Sequence, residues 1–166
     1  MTLVLGIDPG LSGALALYDP EGGLLEVADV PVLESRRTTG KVKRSIDAYE
    51  VARQVDVWSR QIGLVMIEQV GIRPGEGAVG AFSFGEGFGL LRGICTAHFL
   101  RIETVTPQVW RRAMGVKGDK DESRARASVL MPRSTELWRL KKHDGRAEAA
   151  LIALYGVRIL KSEAEA

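Results

Sequence analysis

Two short apolar runs in this sequence each end on an acid, and that pattern limits the possible folds more than any other feature. Met1–Ile7 closes on Asp8, and Leu64–Ile67 closes on Glu68. Strand side chains alternate between faces, so Leu3, Leu5 and Ile7 share one side while Val4, Gly6 and Asp8 share the other. By the same rule Leu64, Met66 and Glu68 lie on one face. A carboxylate at the rim of a hydrophobic sheet ionises at a cost unless a cation or a donor compensates it. For Asp8 two readings stand side by side. Pro9-Gly10 turns the chain, and an Asx-type turn would use the carboxylate locally; alternatively the carboxylate is functional. Glu68 has no evident partner nearby in sequence.

The remaining pattern is an α/β order. Ala14–Tyr18 resumes a strand, Asp19-Pro20-Glu21-Gly22-Gly23 turns, and Leu24–Val30 forms a third strand, which predicts an antiparallel meander. Residues 33–45 are polar and basic, and are expected to form a mobile loop. Asp47 followed by Glu50 opens a helix in the manner of a capping box, with Ala48, Val51, Ala52, Val55, Trp58 and Ile62 at helical spacing. Leu64–Val70 is a fourth strand. A glycine-rich loop over Gly71–Gly77 leads to a helix from Ala78 to His98, containing Gly80, Gly85, Gly87, Gly89 and Gly93. Each glycine costs about 1 kcal/mol of helix stability relative to alanine, so the run points to close backbone approach or to an irregular first turn. Ile102–Val105 is a fifth strand. Thr106-Pro107 opens a short helix through Trp110 and Met114, Gly115–Lys120 is a loop, and Asp121 begins a helix that stops before Pro132. Arg133–Lys142 is polar and basic, and Asp144–Leu160 is a last helix with an alanine-rich face. The fourth and fifth strands, reached by crossovers, are expected to run parallel to the first. The 166 residues suit one domain with one sizeable core.

Composition narrows the function classes. No apolar run reaches membrane-spanning length, and no secretory leader is recognisable, so the expected location is the cytoplasm. Cys95 is the single cysteine, which excludes an internal disulfide and a cysteine-based zinc site. The net charge of +2 is too small to demonstrate a polyanion partner, but Arg36, Arg37, Lys41, Lys43 and Arg44 crowd into one segment.

Asp144 and Glu148 lie four apart and so share a helix face. Neighbouring strands lie about 4.8 Å apart, close enough for Asp8 and Glu68 to share a cation. If the last helix packs over the same sheet, four carboxylates converge, and they would protonate unless a divalent metal neutralised them. Magnesium takes oxygen ligands and keeps several waters, which suits an acidic site acting on phosphate. The competing reading makes Asp144 the N-cap of the last helix and Glu148 a solvated acid in its first turn.

These residues resemble the RuvC-type Holliday junction resolvases, in particular the shorter forms carried by bacteriophages, within the RNase H/retroviral-integrase superfamily. The resemblance runs nearly end to end. It rests on Gly6-Ile7-Asp8-Pro9-Gly10, Ile67-Glu68-Gln69, the helix from Phe82-Ser83-Phe84-Gly85 to Gly93, and Thr106-Pro107-Gln108-Val109-Trp110. Asp119-Lys120 and His143-Asp144-Gly145-Arg146-Ala147-Glu148-Ala149 complete it. It implies a single RNase H-like nuclease domain over residues 1–166, with a mixed five-stranded sheet (three antiparallel strands, then two parallel) flanked by helices. It further implies a homodimeric endonuclease that nicks four-way DNA junctions symmetrically and leaves 5′-phosphate and 3′-hydroxyl ends, in recombination and repair. The implied cofactor is two Mg2+ ions per site, with Mn2+ as substitute, held by Asp8, Glu68, Asp144 and Glu148; Lys120 would stabilise charge at the phosphate. The sequence departs from the family in carrying Glu148 where aspartate is usual, and in an acid spacing of four. Because some relatives use histidine here, His143 is the alternative ligand to Asp144. Gly71 and Ile72 replace an aromatic wedge, which leaves stacking at the junction centre to Phe82 or Phe84, while Phe88 is expected in the core.

Candidate phosphate contacts are Arg36, Arg37, Lys41, Lys43, Arg44, Arg73, Lys117, Lys141 and Lys142, each equally readable as a solvated charge. Contacts of this kind would give steeply salt-dependent binding with little sequence information. The glycine-rich helix is the candidate dimer face. Two other enzyme classes share parts of this pattern: RNase H-fold nucleases acting on flaps, other branched DNA or RNA–DNA hybrids, and actin-like ATPases, whose first phosphate loop Asp8–Ala14 resembles. The ATPase fold needs two such domains and the chain has room for one, so no nucleotide cofactor is expected.

Overall fold

The computed structural model describes residues 2–36, 38, 40, 42–69, 71, 75, 77–118 and 120–165, with the side chain of Lys120 left out. Strands β1 (Leu3–Asp8), β2 (Ala14–Asp19) and β3 (Gly23–Asp29) form the expected meander. A hairpin of β4 (Val32–Arg36) and β5 (Val42–Ile46) follows, then α1 (Ala48–Ser59), β6 (Ile62–Glu68), α2 (Ala78–Ala97), β7 (Ile102–Val105) and α3 (Pro107–Met114). The chain ends with α4 (Lys120–Leu130), two 3-10 turns over Pro132–Trp138 and Lys141–His143, and α5 (Asp144–Ala164). The main sheet has the order β3-β2-β1-β6-β7, with β6 and β7 parallel to β1. Helices cover both faces, which is the mixed five-stranded architecture anticipated from the sequence.

Alternation along the strands sorts the core into two layers. Val4, Leu64 and Met66 join Trp110, Met114, Trp138 and the small residues of α5 on one side. Leu3, Leu5, Ile7, Leu15, Val65 and Ile67 pack against Val51, Val55, Leu91 and Cys95 on the other. Burial pushes the Cys95 thiol up to about 11, as befits a small core residue. Phe88 is half-buried against the same layer, as expected. The start of α1 also matches the sequence reading: Asp47 accepts from the amides of Tyr49 and Glu50. No helix among the described residues is long and apolar enough to cross a membrane.

One segment differs outright. The loop expected over residues 33–45 is a two-stranded ribbon, registered Val32↔Ile46 through Arg36↔Val42. Most of its residues are exposed, so neither face needs apolar side chains and the period-two pattern that marks a half-buried strand is missing.

Helix α5 lies almost directly on β1 because small residues line the seam. A Cβ placed on Gly6 would meet the carbonyl oxygen of Ala149 and the amide nitrogen of Ala153, and would stand 2.7 Å from the Ala153 Cβ. Further along, a Cβ on Gly156 would stand 2.8 Å from Val4 Cγ1. The start of α5 is tied across the sheet to β3, where Arg146 Nε and Nη2 donate to the two carboxylate oxygens of Asp29 at 2.7 and 2.6 Å.

Two outcomes follow from this seam. Gly6→Ala drives a methyl group into backbone that cannot give way, and is expected to lower the unfolding free energy by roughly 3 kcal/mol, the upper end of overpacking penalties. Denaturant titration checks this, and a loss below about 1 kcal/mol contradicts the packing described. The hydrogen bonds from Arg146 hold the Asp29 carboxyl below the ordinary range, with the charges of Arg146 and Lys142 acting in the same direction. A carboxylate whose pKa is lowered on folding stabilises above its unfolded value and loses that contribution as pH falls through the folded one. Asp29→Asn should therefore cost about 0.5–1 kcal/mol at neutral pH, the scale of an exposed pair. The gap between Asp29→Asn and wild type should narrow as pH falls below the ordinary carboxylate range and through the lowered folded value; a gap that stays constant with falling pH would assign the effect to something other than ionised Asp29.

Candidate active site

The two acids that close apolar strands end on the same face of the sheet and on neighbouring strands. Ile7 pairs with Ile67 in the parallel β1–β6 ladder, so Asp8 and Glu68 are the next residues along. Val4, Leu64 and Met66, which precede them on that face, are buried against α5. The N-terminus of α5 comes down beside them. A Cβ on Gly145 would stand 3.0 Å from Asp8 Oδ2, and it would also meet the carbonyl oxygen of Ser12 in the β1–β2 turn. Only glycine lets the helix start this close to Asp8.

Asp144 and Glu148 project from this first stretch of α5, and both depart from the competing reading of the sequence. The N-cap position is His143, not Asp144. Glu148 is 8% exposed, so it is no solvated first-turn acid. Glu148 Oε1 accepts from Ser123 Oγ at 3.0 Å and lies 3.4 Å from Arg111 Nη1. Asp144 Oδ1 lies 3.0 Å from Arg124 Nε. Glu68 Oε2 accepts from Trp110 Nε1 at 2.6 Å, a short charge-assisted bond. The acids thus line one end of the molecule between the C-terminal ends of β1 and β6, helices α3 and α4, and the start of α5. Among the described residues, no three side chains of His, Cys, Asp or Glu are grouped tightly enough to surround one ion. Glu68 and Glu148 each accept from a protein donor.

The donor set nevertheless suits a hard divalent cation. Four carboxylates supply only oxygen, which is what Mg2+ takes. Asp144 Oδ1 is shut from solvent and makes no hydrogen bond, so a buried lone pair there remains to be filled. His143 is half-buried with Nδ1 likewise unpartnered. Burial and the charge of Arg146 hold its pKa below the ordinary histidine value, against the opposing effect of Asp29. The shift favours the neutral ring, the form that can ligate a metal.

The other sequence candidates scatter. Arg36, Lys43 and Arg44 lie on the exposed β4–β5 ribbon, where Arg44 sits 3.6 Å from Glu34. Lys117, Lys141 and Lys142 are exposed. Arg37, Lys41 and Arg73 fall outside the described residues, and so does the side chain of Lys120, whose backbone opens α4. Phe82 is 74% exposed on α2. Phe84 lines a cleft of about 410 Å3 with Gly10, Leu11, Ser45, Ile46 and Leu90, which places it beside the turn that follows Asp8. Gly85, Gly89 and Gly93 face open space, so close packing on the protein's own sheet does not account for them.

Sequence reasoning missed Trp110, Arg111, Ser123 and Arg124, the residues that hold the acids. Trp110 is wholly buried, and its indole N–H meets Glu68 across the site. Trp110→Phe removes that donor and leaves a cavity, so it is expected to destabilise the fold by about 2–3 kcal/mol. Thermal or denaturant unfolding checks this, and a change below about 0.5 kcal/mol would show that Glu68 does not depend on the indole.

No family model matches this chain, and no curated protein matches it. Solved structures do. T. thermophilus RuvC in complex with a Holliday junction substrate superposes with a TM-score of 0.65 over 96% of each chain, at 15% identity. A structure of Thermus thermophilus RuvC matches with a TM-score of 0.59 at 18% identity, over 95% of this chain and 96% of that one. The chain has the RuvC-like variant of the RNase H fold.

Proposed function

We propose that this protein is a metal-dependent endonuclease that resolves four-way DNA junctions by paired symmetric nicks. The observation that carries the reading is the arrival of the α5 N-terminus within contact of Asp8, since it brings acids distant in sequence to the end of the sheet that also bears Glu68. The junction as substrate is taken from the RuvC complex that shares the fold.

Asp8, Glu68, Asp144 and Glu148 would hold two Mg2+ ions, with His143 as the alternative to Asp144 and Mn2+ as substitute. Divalent ions held there would supply an activated water and would neutralise charge at the leaving 3′ oxygen. The chain's own residues do the rest. Glu68 is oriented by Trp110 and Glu148 by Ser123, so neither carboxylate has to be ordered at the moment of reaction. Lys120, at the start of α4, would place a positive charge at the scissile phosphate. The exposed Arg36, Lys43 and Arg44 of the ribbon, with Lys117, Lys141 and Lys142, would neutralise phosphates along the arms. Phe82 and Phe84 would meet bases near the crossover. A homodimer about the open glycine face of α2 would supply the two-fold symmetry that paired nicks require.

Asp8→Asn and Glu68→Gln are each expected to reduce cleavage of a labelled four-way junction in Mg2+ by about 100-fold or more, with junction binding retained. Gel assays of cleavage and of binding, with RNA–DNA hybrids and flaps as comparison substrates, check both arms. Normal cutting by either variant removes the acids from the chemistry. Preference for hybrids or flaps over junctions would replace the substrate and keep the nuclease.

A further inference from the structure

The ion pairs of this protein fall into two kinds. Arg146 grips Asp29 through two hydrogen bonds, and Arg101 reaches both oxygens of Glu163 at 2.9 and 2.6 Å. The pairs on the α5 acids are built differently. Arg124 Nε stands 3.0 Å from Asp144 Oδ1, yet both atoms are closed off from solvent and neither makes a hydrogen bond, so the N–H is not aimed at the oxygen. Arg111 Nη1 donates to Glu148 Oε1 at 3.4 Å, a hydrogen bond stretched well past the usual length for an ion pair. Each guanidinium is anchored elsewhere. Arg124 donates through Nη2 to Asp121 and through Nη1 to the carbonyl of Arg139 at 3.3 Å. Arg111 donates through Nη2 to the carbonyl of Gly118 at 2.6 Å and lies 5.5 Å over the ring of Trp110.

These arginines supply charge to the acids without saturating their oxygens. A well-aligned guanidinium at short range occupies the lone pairs of a carboxylate, as Arg146 does on Asp29, whereas a misaligned or stretched one leaves them open to exchange. We propose that Arg111 and Arg124 are displaceable counter-cations of Glu148 and Asp144: they set the affinity of the site by competing with the divalent cation for the same charge. The proposal rests on the reading of these acids as metal ligands, and it makes the two arginines positioning residues that act through the carboxylates.

The test is Mn2+ binding to the full chain without DNA, followed by electron paramagnetic resonance of the free ion. Arg111→Gln and Arg124→Gln are each expected to tighten Mn2+ by roughly tenfold, because each deletes a unit positive charge about 3–4 Å from a ligand oxygen. Arg124→Lys, which keeps the charge, should stay within about threefold of wild type, and so should Arg146→Gln, whose charge is neutralised by Asp29. Circular dichroism confirms that each variant is folded. If Arg124→Gln is not, Arg111→Gln decides alone, since its pair is the looser one and the side chain is a quarter exposed. Glutamine variants within about twofold of wild type overturn the proposal, as does equal tightening by Arg146→Gln, which would reduce the effect to net charge. Wild type that binds Mn2+ while the glutamine variants match it overturns this inference alone. Wild type that binds no Mn2+ overturns the metal-site reading beneath it as well.

Discussion

The backbone contact between α5 and β1 is the constraint on which the rest of this molecule depends. At Gly6 and Gly145 there is no side chain to hold helix and strand apart. A helix normally packs on a sheet through a layer of side chains, and at that distance acids at its first turn would fall short of the strand ends. Here the helix axis drops, the β1–β2 turn touches the helix start, and Gly145 comes to rest against the carboxylate of Asp8. The alanines at 147, 149, 150 and 153, all fully buried, serve the same purpose along the helix. The alanine-rich face of the last helix is therefore a condition for the site as well as a way to fill the core.

Once the backbone has brought the acids to one end, electrostatics becomes the next problem. Carboxylates pressed together repel one another and raise each other's proton affinity. The fold answers with donors from α3 and α4: an indole N–H for Glu68, a hydroxyl for Glu148 and a guanidinium for each acid of α5. Trp110 and Arg111 are adjacent in α3, so one short helix serves acids contributed by a strand and by the last helix. That helix is fixed in place by the burial of Trp110 and Met114 in the core beneath α5. Core packing and site geometry are thus coupled through the same residues.

Much of this was legible in the sequence, and the reason is periodicity. The alternation Val4-Gly6-Asp8 and Leu64-Met66-Glu68 placed the two strand acids on one face, and the four-residue spacing placed Asp144 and Glu148 on one side of a helix. The parallel direction of β6 and β7 relative to β1 followed from strand–helix crossovers. The β4–β5 ribbon was read as a loop because its residues bury almost nothing, so no pattern of burial marks them. Arg111, Ser123 and Arg124 were not legible either: they meet the acids by spatial proximity across different helices, and a surface arginine on a helix looks the same in sequence whatever it faces. The one available signal was the unusual density of arginine near Trp110 and along Arg124–Arg126, which a reading focused on acids passed over. The competing reading of Glu148 as a solvated helix-start acid failed for the same reason, since nothing local reveals that α3 and α4 close over it.

Anomalous diffraction from crystals soaked in Mn2+ tests most directly whether these scattered carboxylates form one cation site. The expected result is density for manganese between the carboxylates of Asp8 and Glu68, on the face of the sheet covered by α5, with Glu148 and either Asp144 or His143 turned toward it. Manganese bound only at other surfaces at saturating concentration, with none between Asp8 and Glu68, would contradict it.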